Sequence, residues 1–128
     1  MEISIRAKIL RAQESLGPLL LGGMLMDLSV SGAGVLLFNM SERDFRHIAR
    51  YRATKMIKLQ FHVEPDPVSI NISGSIMYLD YMDKGSYTAC SVGVQFDESE
   101  VEMLARIEDF IQSHGNQAGY ANGDLDSR

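Results

Sequence analysis

Four segments of the chain carry apolar residues at every second position, a period that fits a strand and not a helix. Ile3, Ile5, Ala7 and Ile9 alternate with Ser4, Arg6 and Lys8. Ile57, Leu59, Phe61 and Val63 alternate with Lys58, Gln60, His62 and Glu64. Val68, Ile70, Ile72, Gly74, Ile76 and Tyr78 share one phase, opposite Ser69, Asn71, Ser73 and Ser75. Cys90, Val92, Val94 and Phe96 form the fourth such set. Strands of this kind bury one face and wet the other, which is the habit of antiparallel sheets.

Two further strands come from apolar runs without strict alternation. Leu19 to Leu28 is interrupted by Gly22 and Gly23, and a glycine pair inside a strand predicts a bulge or a sharp bend there. The segment Ser29 to Gly34 reads as a tight turn, followed by a strand over Val35 to Phe38. Gln13 to Pro18, the Pro65 and Pro67 pair, and Asp83 to Ser86 read as the remaining breaks, the last as a hairpin loop.

Two segments switch to a helical period. Ser41 and Asp44 have capping-box spacing, and Phe45, Ile48 and Ala49 follow on one face, so a short helix is expected from about 41 to 51. Asp97 and Glu100 have N-cap and N3 spacing for a second helix. Its apolar stripe is Val101, Leu104, Ile107 and Ile111, widened by Met103 and Phe110, and Gly115 suits its C-terminal end. The outline is all-β with a closing helix. Six strands form an antiparallel β-barrel, with a short inserted helix and a C-terminal α-helix lying across an open end or seam. The domain is expected over residues 1–113, with 114–128 a flexible tail of Gly, Asn, Asp and Ser.

Charge and cysteine content narrow the function. Twelve basic residues face 17 acidic ones, a net charge of −5, which makes duplex nucleic acid a poor partner. No stretch approaches the roughly 18–20 apolar residues of a membrane span. The opening Met-Glu-Ile-Ser-Ile-Arg lacks a basic region followed by an apolar core, so no signal peptide and a cytoplasmic location are expected. Cys90 is the one cysteine, which leaves no internal disulfide and no thiolate metal cluster, and its phase with Val92 and Val94 marks a packed core thiol. His47, His62 and His114 show no metal-ligand spacing, and no nucleophile elbow, Walker loop or dinucleotide fingerprint is present. Asp80 and Asp83 near a hairpin read as solvated turn residues. No enzyme activity, cofactor or metal is expected.

The segment Asp27-Leu28-Ser29-Val30-Ser31-Gly32 has the pattern D-x-S-x-x-G at the end of a strand, with a second strand directly after it. Some sixty residues later Gly93-Val94-Gln95-Phe96 leads into an acidic helix start. Over residues 3 to 113 the chain resembles PilZ domains. The resemblance implies a six-stranded barrel, and it implies a bacterial receptor for the messenger cyclic di-GMP that changes its partner contacts on binding. It also implies a ligand site at Asp27, Ser29 and Gly32. In the family a second motif, R-x-x-x-R, precedes the first barrel strand, and its arginines hold the phosphates and guanine edges of the ligand. Here Arg6 and Arg11 are five apart, and the half-match is Glu2-x-x-x-Arg6. Arg6 is thus the one candidate phosphate or guanine contact from that motif, and the site is weak or incomplete. An arginine pair upstream of Met1 and a divergent PilZ domain that never binds nucleotide are both consistent with this departure. The second would be a protein-interaction adaptor for a partner in motility, pilus or secretion regulation.

Each of these residues has an ordinary structural reading beside the functional one. Asp27 can accept two N–H donors from a guanine edge, and Ser29 can both donate and accept. Asp and Ser at a strand-to-turn junction also cap their own backbone. Gly32 can admit a backbone conformation or a close approach that a Cβ would forbid. Arg6 and Lys8 can equally form a solvated strand face. Arg43, Arg46, Arg50, Arg52, Lys55 and Lys58 hold half of the basic residues, while six acids lie between Asp97 and Asp109. A basic helix can dock on an acidic partner, or it can pair locally with Glu42 and Asp44.

Overall fold

A computed structural model describes residues 3–10, 17–51, 55–62 and 69–113. The elements in chain order are β1 (Ile3–Ile9), β2 (Leu19–Leu28), β3 (Gly32–Phe38), α1 (Glu42–Arg50), β4 (Met56–His62), β5 (Ser69–Asp83), β6 (Thr88–Phe96) and α2 (Val101–Ser113). The six strands form a closed barrel in the order β1-β2-β3-β6-β5-β4, every pair antiparallel. The expected tail at 114–128, the Pro65 and Pro67 turn, Arg11, Arg52, Val63 and Val68 lie outside the described residues.

The alternation explains the closure. Ile3, Ile5, Ala7 and Ile9 of β1 are buried, as are Ile57, Leu59 and Phe61 of β4 and Cys90, Val92, Val94 and Phe96 of β6. These side chains point into the barrel and fill it, and β1 pairs on one edge with β2 and on the other with β4. With both edges paired, no strand edge of the sheet is left open to add another chain. Burial pushes the Cys90 thiol up to about 11, as a packed core position requires.

Two departures concern bulges. The glycine pair in β2 stays in regular register, Gly22 opposite Arg6 and Gly23 opposite Ile5. The register shift in β2 falls instead between Leu25 and Asp27, which leaves Met26 and Asp27 both facing outward. A second shift in β5 lies between Ile76 and Tyr78. It reverses the phase of the strand, so Tyr78 is 55% exposed where the alternation placed it with buried Ile76. Beyond it, Leu79 packs against the core from a position that the earlier phase assigned to solvent. The expected turn at 29–34 is also shorter, because Gly32 to Gly34 already belong to β3.

The helices follow their capping chemistry. Ser41 caps α1, its hydroxyl accepting the Asp44 N–H at 3.0 Å, and Ile48 is buried while Ala49 is exposed. Phe45 stacks on Tyr81 of β5 with ring centroids 5.1 Å apart. Arg46 pairs with Glu42 at 2.6 Å on an exposed face, the local pairing that competes with docking.

The second helix starts later than its acidic signal suggested. Asp97 Oδ1 accepts the Ser99 N–H at 3.0 Å and the Ser99 hydroxyl at 2.9 Å, which holds the Asp97 carboxyl below the usual range and builds a turn. The Glu100 carbonyl accepts the first helical N–H, from Leu104 at 2.9 Å. The junction is tied to β5 at one residue: the Ser73 N–H donates to Glu100 Oε2 at 3.1 Å, and the Asp97 N–H to the Ser73 carbonyl at 2.9 Å. Ile107, Phe110 and Ile111 then join the barrel core, Met103 and Leu104 pack at its margin, and Val101 is 70% exposed.

Two outcomes follow for stability and reactivity. Ile107→Ala should destabilise the fold by about 2–5 kcal/mol, as full deletions of buried aliphatic side chains do. Val101→Ala should stay within about 0.5 kcal/mol. A urea midpoint unchanged by Ile107→Ala would mean that α2 does not dock. Native Cys90 should be inert to Ellman's reagent at pH 8 and react fully in guanidinium chloride; fast reaction of the native chain would contradict its burial.

Candidate functional site

The D-x-S-x-x-G segment folds as the end of β2, a three-residue connection over Ser29, Val30 and Ser31, and the first residue of β3. Its polar groups first serve the turn. Asp27 Oδ1 accepts the Gly34 N–H at 3.0 Å. The Ser29 N–H donates to the Gly32 carbonyl at 2.9 Å, and Ser29 Oγ accepts the Ser31 N–H at 3.3 Å and lies 3.1 Å from Ser31 Oγ. The Phe96 N–H donates to the Ser31 carbonyl at 2.9 Å, which ties the turn to β6. A carboxylate offers about four acceptor directions, so Asp27 keeps the whole of Oδ2 for another donor.

Gly32 is needed for packing. A Cβ there would fall onto the Val94 carbonyl of β6, and Gly32 is not among the residues with positive φ. The constraint seen here is the approach of β3 to β6, rather than a special backbone conformation.

Asp27 also belongs to a row that crosses four strands. It pairs with Gly34 of β3, Gly34 pairs with Gly93 of β6, and Gly93 pairs with Tyr78 of β5. The neighbours Val35, Val92 and Val94 are core, so this row faces outward. A Cβ at Gly34 would lie 2.9 Å from Asp27 Oδ2, and one at Gly93 would fall onto the Tyr78 ring. The carboxylate thus leans over one glycine and the ring lies on the other. Each is turned outward by the bulge just before it in its own strand.

These residues line a recess of about 270 Å³, with Ser29, Gly32, Met77 and Val94 among its other walls. That volume is close to the lower end for small-molecule sites, enough for one ring system rather than a whole dinucleotide.

Arg6 does not share this recess. It lies opposite Gly22 of β2 and Gln60 of β4, five positions along β2 from Asp27. At about 3.3 Å per residue that is roughly 17 Å. Arg6 lines two other recesses, of about 700 and 550 Å³, on the outer face of β2, β1 and β4. The second also holds Lys8 and its cross-strand partner Lys58, and among the described residues neither recess is lined by a carboxylate. Asp83 accepts the Gly85 N–H at 2.9 Å as a turn residue, and among the described residues no group of three or more His, Cys, Asp or Glu is placed to hold a metal ion. No described helix is long and apolar enough to cross a membrane.

Sequence reasoning missed Gly34, Gly93, Met77 and Tyr78. The glycines were legible in principle, since each takes an outward position in a strand, where glycine marks close approach. Tyr78 was hidden by a bulge that no residue type announces.

Comparison with known proteins places this fold. The crystal structure of the Borreliella burgdorferi PlzA protein in complex with c-di-GMP superposes with a TM-score of 0.50 at 10% sequence identity. The match covers 89% of this chain and 46% of that one, so the chain spans about half the length of that protein. At this identity the likeness speaks for the fold alone. No curated protein sequence matches the chain. The family model for the PilZ domain matches residues 1–113, from the first strand through the closing helix. The chain belongs to the PilZ domain family.

Proposed function

We propose that this chain is a receptor domain for cyclic di-GMP, which binds the nucleotide beside Asp27, Ser29 and Gly32 and changes its contacts with a protein partner, without chemistry of its own. The observation that carries the reading is the Asp27 carboxylate, held outward by its bulge and its Gly34 bond, with Oδ2 available to a guanine edge. The family supports it, and so does a structural neighbour solved with this nucleotide.

Binding by this site is weak. Among the described residues no Arg or Lys lines the recess, and Arg6 faces another part of the barrel. Each charge-assisted hydrogen bond to phosphate contributes on the order of 1.5–3 kcal/mol. Lacking two of them removes roughly 3–6 kcal/mol, about two to four decades in affinity.

A second reading rests on the opposite face. Arg6, Lys8 and Lys58 crowd one recess with no carboxylate among its described residues, in a chain of net charge −5, and Lys8 directly opposite Lys58 is an unfavourable cross-strand pair. That arrangement favours an adaptor docking an acidic partner independently of nucleotide. A partner retained equally with and without cyclic di-GMP, and lost in Lys8→Glu, would support it.

Isothermal titration should give a dissociation constant for cyclic di-GMP of about 10 μM or weaker. Asp27→Ala should abolish the heat and Arg6→Ala should leave it almost unchanged. Submicromolar binding that survives Asp27→Ala would overturn the placement of the site.

A further inference from the structure

We propose that Tyr78 is the stacking platform for a guanine base whose edge is read by Asp27, a role that rests on the reading just given and adds a specificity-determining residue to it. The argument starts from the row Asp27, Gly34, Gly93 and Tyr78, four consecutive cross-strand partners on the outer face of β2, β3, β6 and β5. Three strand spacings separate the first from the last, about 14 Å between backbones. Both end side chains lean inward over side-chain-free glycines, which leaves a slot with an acceptor at one end and an aromatic surface at the other.

An aromatic residue at such a position ordinarily turns one face to neighbouring side chains. Here the ring rests on the backbone of Gly93 and remains 55% exposed, beside Met77 at 61%. Large apolar side chains held outward on a rigid sheet, within a recess, are placed to be covered. A planar heteroaromatic ligand fits what the slot offers: a face to stack on and N–H donors for Asp27 Oδ2. A purine with an amide-type edge supplies both, and an aliphatic or simple anionic ligand supplies neither. The paired bulges at Met26 and Met77 give the arrangement its rigidity, because each re-aims one end of the row within a closed ladder.

The test is titration of the full chain with cyclic di-GMP, followed by NMR and calorimetry. Bound nucleotide should show nuclear Overhauser contacts from guanine H8 to the Tyr78 ring protons, and the H8 resonance should move upfield. Tyr78→Leu should weaken binding by about tenfold or more, and Tyr78→Phe should restore most of it, since the ring and not the hydroxyl stacks. Binding that is lost in Asp27→Ala yet unchanged in Tyr78→Leu, with no contact to the ring, would overturn the stacking role and leave the receptor reading intact. No binding to the wild-type chain at millimolar nucleotide would overturn both.

Discussion

Closure of the ladder between β1 and β4 is the constraint on which the molecule depends. Once β1 is paired on both edges, every inward position must be filled and every outward position belongs to a single continuous surface. Ile5, Leu59, Phe61 and Val92 meet the first demand. The second demand sets the outer surface, because side chains on a closed sheet have little freedom except where the register breaks. The two register shifts flank the β3–β6 pair, one at Met26 and one at Met77. These bulges are the devices that turn Asp27 and Tyr78 outward, each over the glycine beside it.

The sequence made most of the architecture readable, for a physical reason. Period two in β1, β4 and β6 is imposed by one-sided burial: the observed burial of Ile3 to Ile9 follows it position by position, and Cys90, Val92, Val94 and Phe96 are all buried. The cap at Ser41 was readable because its hydroxyl has one neighbouring N–H to serve. The errors share a different cause. Tyr78 was assigned to the core because a bulge reverses phase without changing residue type. Gly22 and Gly23 were read as the bend, yet the bulge sits three residues on, at Met26, with no glycine in it. The start of α2 was misplaced because Asp97 and Glu100 spend their side chains on Ser99 and on the Ser73 N–H, contacts that depend on where β5 lies.

Of the candidate site, the sequence singled out the motif at Asp27 to Gly32, and the structure sets it beside a recess at the β2–β3 corner, where its residues have structural reasons of their own. Asp27 holds the Gly34 N–H, and Gly32 makes room for the Val94 carbonyl, so both are structural before they face any ligand. Arg6 drew attention as the half-match to the R-x-x-x-R motif, and topology alone decides that it lies between Gly22 of β2 and Gln60 of β4, away from the β2–β3 connection. Among the described residues charge is therefore divided between two surfaces: a recess whose one charged group is Asp27, and a cationic face without a carboxylate.

The most direct test of the account is an amide-resolved titration of the whole chain with cyclic di-GMP. The Gly34 amide, which donates to Asp27, and the Gly93 amide, which lies under Tyr78, should shift together with Ser29 and Ser31 along one binding curve. The amides of Arg6, Lys8 and Lys58 should stay in place. Shifts confined to that cationic face, with Gly34 and Gly93 unmoved, would contradict it.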